Sequence, residues 1–113
     1  MNDKTYLELE RKIDKLFKKR NKISFLHERC TPAMYDAHGT SECERMEMRA
    51  RRHNQRAYAK TEKYNNIISD ILLLMVKSGY SIDNISSKYN ITDILRDNPE
   101  LSSALDNQSK KMN

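Results

Sequence analysis

"SECERMEMRARRHNQRAYAKTEKYNNIISDILLLMVKS", Ser41 to Ser78, contains neither glycine nor proline. Within it Met46, Ala50, His53, Ala57, Lys60, Tyr64, Ile67, Ile71 and Leu74 recur at alternating steps of four and three. That is the heptad rhythm of a helix burying one seam. The spacing predicts a helix over about 42–78, begun by Ser41 and Glu44 at capping-box spacing and stopped by Gly79. Such a helix is about 55 Å long.

Upstream, Tyr6, Leu9, Ile13, Leu16, Arg20, Ile23 and His27 keep the same rhythm, with Leu7, Phe17 and Leu26 widening the stripe. This predicts a first helix over about 4–28, with Thr5 and Glu8 as its capping box. A loop over 30–41 then joins two heptad-spaced helices, so the expected architecture is all-α: a long, coiled-coil-like antiparallel hairpin. With the turn in that loop, Ile23 faces Ala50, Leu16 faces Ala57, Leu9 faces Tyr64 and Tyr6 faces Ile67. Large residues then oppose small ones in two layers. Arg20 against His53 and Ile13 against Lys60 are polar layers that fix register.

The hairpin leaves the far end of the second helix uncovered from about Ile68 onward. Yet Ile67, Ile68, Ile71, Leu72, Leu73, Leu74, Met75 and Val76 are apolar nearly all round, and such a helix needs cover on several sides. Two or three short helices within 81–105 supply part of it, through Ile82, Ile85, Ile91, Ile94, Leu95, Leu101 and Leu105. Ser81 and Thr92 are candidate N-caps, and Asn98-Pro99-Glu100 reads as cap, first-turn proline and first-turn acid. Residues 1–106 form one domain in this reading, and 107–113 a flexible tail. A second protomer completes the cover, so a dimer is expected, with Ile67, Ile68, Ile71, Leu72, Leu74, Met75, Ile82 and Ile85 as the self-association or protein-partner surface.

Charge is segregated along the chain. The net charge is +5, but residues 45–63 alone hold seven Lys/Arg against two Asp/Glu, and residues 64–107 hold three against six. A basic face suits nucleic acid, an anionic membrane or an acidic protein. Arg45, Arg49, Arg52, Arg56, Lys60 and Lys63 recur at helical steps and form one stripe fit to neutralise phosphates. Within it "NQRAYAK", Asn54 to Lys60, resembles the basic region of leucine-zipper proteins, which implies a helix lying on DNA; no leucine heptad follows it. Asn54, Gln55 and Tyr58 are candidates for added polar or stacking contacts. The other reading of the stripe is a solvated coiled-coil flank facing acids of the first helix or of a partner. "SIDNISSKYNIT", Ser81 to Thr92, resembles the opening of a helix-turn-helix; the competing reading is a pair of helices that caps the core.

The turn region gathers His27, Cys30, His38 and Cys43. Two Cys and two His make a legitimate structural zinc set, although H-x2-C-x7-H-x4-C is no common finger spacing. A Cys30–Cys43 disulfide, a Cys/His nucleophilic pair and a plain loop with free thiols are the alternatives. No GxGxxG, P-loop, GxSxG or HExxH sequence occurs. Two glycines in the chain leave little scope for a phosphate-cradling loop. The expectation is a non-enzymatic module that needs no cofactor: an adaptor, inhibitor or regulator that binds a protein partner, with a nucleic-acid-binding regulator as the alternative. MNDKTYLELERK has no apolar core of a signal peptide, and the six-residue run Ile71–Val76 is too short to span a bilayer. Together with the small cysteine count, this predicts a cytoplasmic protein without a membrane partner.

Overall fold

A computed structural model describes residues 3–112. Six helices follow in chain order: α1 (Asp3–Asn21), α2 (Pro32–His38), α3 (Thr40–Lys77), α4 (Asp83–Lys88), α5 (Thr92–Asp97) and α6 (Pro99–Met112). The fold is all-α. The 38 residues of α3 set the long dimension of a molecule measuring 62 × 26 × 19 Å. At its C-terminus, Gly79 takes φ 89°. Its N–H donates to the Val76 carbonyl and that of Tyr80 to the Met75 carbonyl, both at 3.0 Å. These are the paired bonds of a Schellman stop. At other ends the expected caps are met in part: α6 begins at Pro99 directly after Asn98, and Ser81 Oγ accepts the Asp83 N–H at 3.3 Å. Gly39, at φ 81°, precedes α3 with no side-chain cap bond, and Ile82 and Ile91 stand at the N-caps of α4 and α5. Asn90 Oδ1, not Thr92, accepts the first free N–H of α5.

The first helix is shorter than expected, and its register differs. It ends at Asn21 instead of about 28. Arg20 Nη1 donates to Asn65 Oδ1 at 2.9 Å, and the rings of Tyr6 and Tyr80 meet at 5.2 Å. These contacts make α1 antiparallel to α3, but Arg20 lies beside Asn65 and not His53. The slip is about 18 Å along α3. In this register Phe17 comes level with Ile68, Ile13 with Leu72 and Leu9 with Val76, and all six are buried in one core. Burying large apolar side chains against one another removes more surface from water than setting them on Ala50 and Ala57. The hydrophobic effect therefore chose the apolar end of α3 over the heptad seam.

That end is consequently covered from within the chain. Ile68, Leu72, Met75, Ile82 and Ile85, expected at an intermolecular surface, are each at most 3% exposed and packed with Ile91, Ile94 and Leu101. Ile67 and Leu74 remain exposed, with Ile71 half-buried between them. The short helices α4 and α5 act as core caps, because Ile85, Ile91 and Ile94 point into this cluster. Phe17, fully buried, stacks on Tyr89 at 4.1 Å, and the Arg20 guanidinium covers its ring at 4.5 Å. Tyr89 Oη donates to Asp14 at 2.7 Å and Lys88 pairs with Glu10 at 3.2 Å, latching the C-terminal third onto α1. The flexible tail expected from residue 107 is helical as far as Met112. Gln108 Nε2 donates to the Tyr80 carbonyl at 2.9 Å, which ties that turn to the end of α3. Asn113 lies outside the described residues.

The N-terminal half of α3, left without α1, is covered by an irregular strap over 22–31 and by α2. Thr31-Pro32, which reads as a chain breaker, starts α2. The Thr31 side chain accepts the Met34 N–H, and Pro32 occupies the first turn. A strap has no ladder of its own, so its buried backbone groups need outside partners. Side chains of α3 supply them. Asn54 Oδ1 accepts the Leu26 N–H at 2.9 Å while its Nδ2 donates to the Leu26 carbonyl at 2.8 Å. His53 Nε2 bonds the Ser24 carbonyl at 2.9 Å, and Glu47 accepts the Cys30 N–H at 3.0 Å. Ala50 and Ala57 are both buried on this half of α3.

Candidate functional site

The basic stripe stands on the outward face of α3, since Ala50, Asn54 and Ala57 turn the opposite face toward the strap. Arg45, Arg49, Arg52, Arg56, Lys60 and Lys63 are all exposed. From first to last they cover about 27 Å of helix. Among the described residues none of the six is ion-paired. The slipped register is the cause: α1 carries its acids to the other half of α3, where Glu10 and Asp14 meet Lys88 and Tyr89. The part of the flank reading that set acids of the first helix against the stripe is thereby corrected. Of the two acids within 45–63, Glu47 spends its carboxylate on the Cys30 N–H and the Tyr35 hydroxyl.

Beside the stripe, where α1 ends and the strap begins, lies a cleft of about 600 Å³. Lys19, Lys22, His53, Arg56 and Lys60 line it, with Ile23 and Tyr64 as the less polar wall, and among the described residues no carboxylate lines it. The sequence reading missed Lys19, Lys22 and His53 as site residues. The run Lys18-Lys19-Arg20-Asn21-Lys22 was the available signal, but an extended first helix disperses it around a helical surface. In the structure the helix stops at Asn21, and the strap carries Lys22 over to Arg56 and Lys60. Of the candidates for outside contacts, Asn54 is buried and has other work, whereas Tyr58 stays 65% exposed. Asn54 clamps Leu26, and the half-exposed Phe25 ring packs on Tyr58 at 4.7 Å. In "NQRAYAK" Asn54 is thus turned inward, while Gln55, Arg56, Tyr58 and Lys60 are exposed.

The cysteine-histidine loop is drawn together only in part. Cys30 Sγ donates to the Cys43 carbonyl at 3.7 Å, and both thiols are free. Burial, with the Cys30 thiol beside it, pushes the Cys43 thiol up to about 11. His38 Nδ1 lies 3.8 Å from Glu42, and His27 borders a more apolar cleft of about 440 Å³ with Cys30, Met34 and Met46. Among the described residues no three His, Cys, Asp or Glu side chains are grouped to hold a metal ion, so the four expected zinc ligands are not assembled. Nor is any described helix long and apolar enough to cross a membrane. No protein-family model, curated protein or solved structure matches the chain.

Proposed function

We propose that this chain is a non-catalytic nucleic-acid-binding module whose outward α3 stripe neutralises the phosphate backbone. The observation that carries the reading is the set of six exposed cations on one helix face, unpaired among the described residues, beside a cleft lined by five basic side chains. Glu100 pairs with Lys77 at the far end of α3, whereas Asp93 acts on Arg20 and Asp97 shares a cleft with Tyr58 and Glu62, so the cations turned toward a polyanion are those of the stripe itself. The expected protein-partner surface at the apolar end loses ground, because five of its eight residues are core.

Binding to a duplex or single strand, followed by anisotropy across a salt series, tests the proposal. A contact with four to six phosphates gives a slope of log K against log salt of about −3 to −5. No binding even at low salt overturns it. Self-association is a second reading, favoured by Ile67, Ile71 and Leu74 at one-face spacing, with Ile67 38% and Leu74 47% exposed. Mass in solution decides between monomer and dimer.

A further inference from the structure

The cleft differs in kind from the stripe. The stripe is a convex helix face, suited to a continuous backbone. The cleft is a concavity of about 600 Å³, within the range of about 300–1,000 Å³ in which proteins hold small ligands. Its cations come from three separate places: Lys19 from the last turn of α1, Lys22 from the strap, and Arg56 and Lys60 from α3. Converging from different directions, they can surround an anion where a single helix face can only touch one side. His53 is fixed among them. The Ser24 carbonyl can only accept, so Nε2 carries the proton of that 2.9 Å bond and holds the ring in place. The half-buried Tyr64 ring adds a surface for stacking, and Ile23 an apolar contact.

From this we infer that the cleft binds a nucleotide bearing a terminal phosphate. The phosphate sits among Lys19, Lys22 and Arg56, and the base lies against Tyr64. A bare phosphate leaves most of the volume unfilled, whereas a nucleotide uses both the cationic and the aromatic walls. Arg56 and Lys60 belong to the cleft and the stripe alike, so a strand lying on α3 can deliver its end into the cleft. A free nucleoside monophosphate presents the same chemistry. The strand-end form of the inference rests on the nucleic-acid reading of the stripe; the free-nucleotide form does not.

The test uses the full chain and three probes: one oligonucleotide with a 5′-phosphate, the same oligonucleotide with a 5′-hydroxyl, and adenosine monophosphate. If a strand end is the ligand, the phosphorylated oligonucleotide binds about fivefold more tightly, as a charge-assisted contact to one added phosphate warrants. The double variant Lys19→Ala/Lys22→Ala removes that preference while leaving the 5′-hydroxyl affinity within about twofold, because it spares the stripe. If a free nucleotide is the ligand, adenosine monophosphate shifts the His53 ring resonances in the wild type but not in the double variant, even where neither oligonucleotide binds. Failure of the stripe alone is thus distinct from failure of the cleft. Equal affinity for the two oligonucleotides together with unmoved His53 resonances overturns the inference. A preference or shift that survives in the double variant overturns it equally.

Discussion

Asn54 grips Leu26 by both ends of its amide, accepting the backbone N–H at 2.9 Å and donating to the carbonyl at 2.8 Å. The pair acts like one rung of a sheet in which a side chain replaces the second strand. A third bond, from Nδ2 to Glu28 Oε1 at 3.1 Å, completes the amide's partners. Asn54 is buried, so its removal strands two backbone groups of Leu26. Asn54→Ala is expected to cost about 1–3 kcal/mol in urea unfolding. It should also speed trypsin cleavage after Lys22 and Arg29, which flank the strap. Unchanged cleavage in the variant would show that the strap is held by other contacts.

Phe17 joins the two ends of the core, with Tyr89 stacked on one face and Arg20 over its ring. It is fully buried. Phe17→Ala should cost about 3–5 kcal/mol, read as a lowered midpoint in denaturant. Leu7→Ala, on the same helix but half exposed, should move stability by less than about 1 kcal/mol.

The two glycines with positive φ separate backbone strain from crowding, since an added Cβ meets nothing within 4 Å at either. Gly39 combines φ 81° with ψ 166°, a region open almost only to glycine. Gly39→Ala should therefore cost about 1–3 kcal/mol. Gly79→Ala, at a helix stop that other residues sometimes occupy, should cost only about 1 kcal/mol. Thermal melts of the two variants check the order.

Thiol chemistry should be asymmetric. Cys43 is fully buried and its thiol is pushed up to about 11, whereas Cys30 is half-buried. A thiol reagent at mild alkaline pH should label Cys30 first and Cys43 only on unfolding. Tyr89, through its hydrogen bond to Asp14, and Lys88, through its bond to Glu10, are raised as well. Groups raised in the folded state keep protons that the unfolded chain has released, so their stabilisation is lost as pH rises. For Cys43 the window runs from 9.0 to about 11. Denaturant midpoints should fall across that range.

Charge removal on the stripe should act on binding and not on folding. Arg49→Ala/Arg56→Ala should lower the magnitude of the salt slope for nucleic acid by about 2. Its melting temperature should stay near that of the wild type, because both side chains are exposed and unpaired among the described residues. Loss of stability instead would mean that these arginines pack.

Much of this architecture is written locally in the chain. The helix over 42–78 is found within two residues at its start and one at its end, because a glycine-free, proline-free run has few ways to stop before Gly79. The outward basic stripe follows from the same periodicity. The register of α1 is not local. Heptad spacing recurs along both helices and allows several alignments, and only the total apolar area buried separates them. That comparison needs Phe17, Ile68 and Ile94 in one place, from three distant parts of the chain. The strap is likewise a tertiary outcome, since His53, Asn54 and Glu47 take over backbone bonds of Ser24, Leu26 and Cys30. The sequence by itself determined the helices and their charged faces. Tertiary packing decided which end is core, where α1 stops, and hence that Lys19 and Lys22 stand beside Arg56 in one cleft.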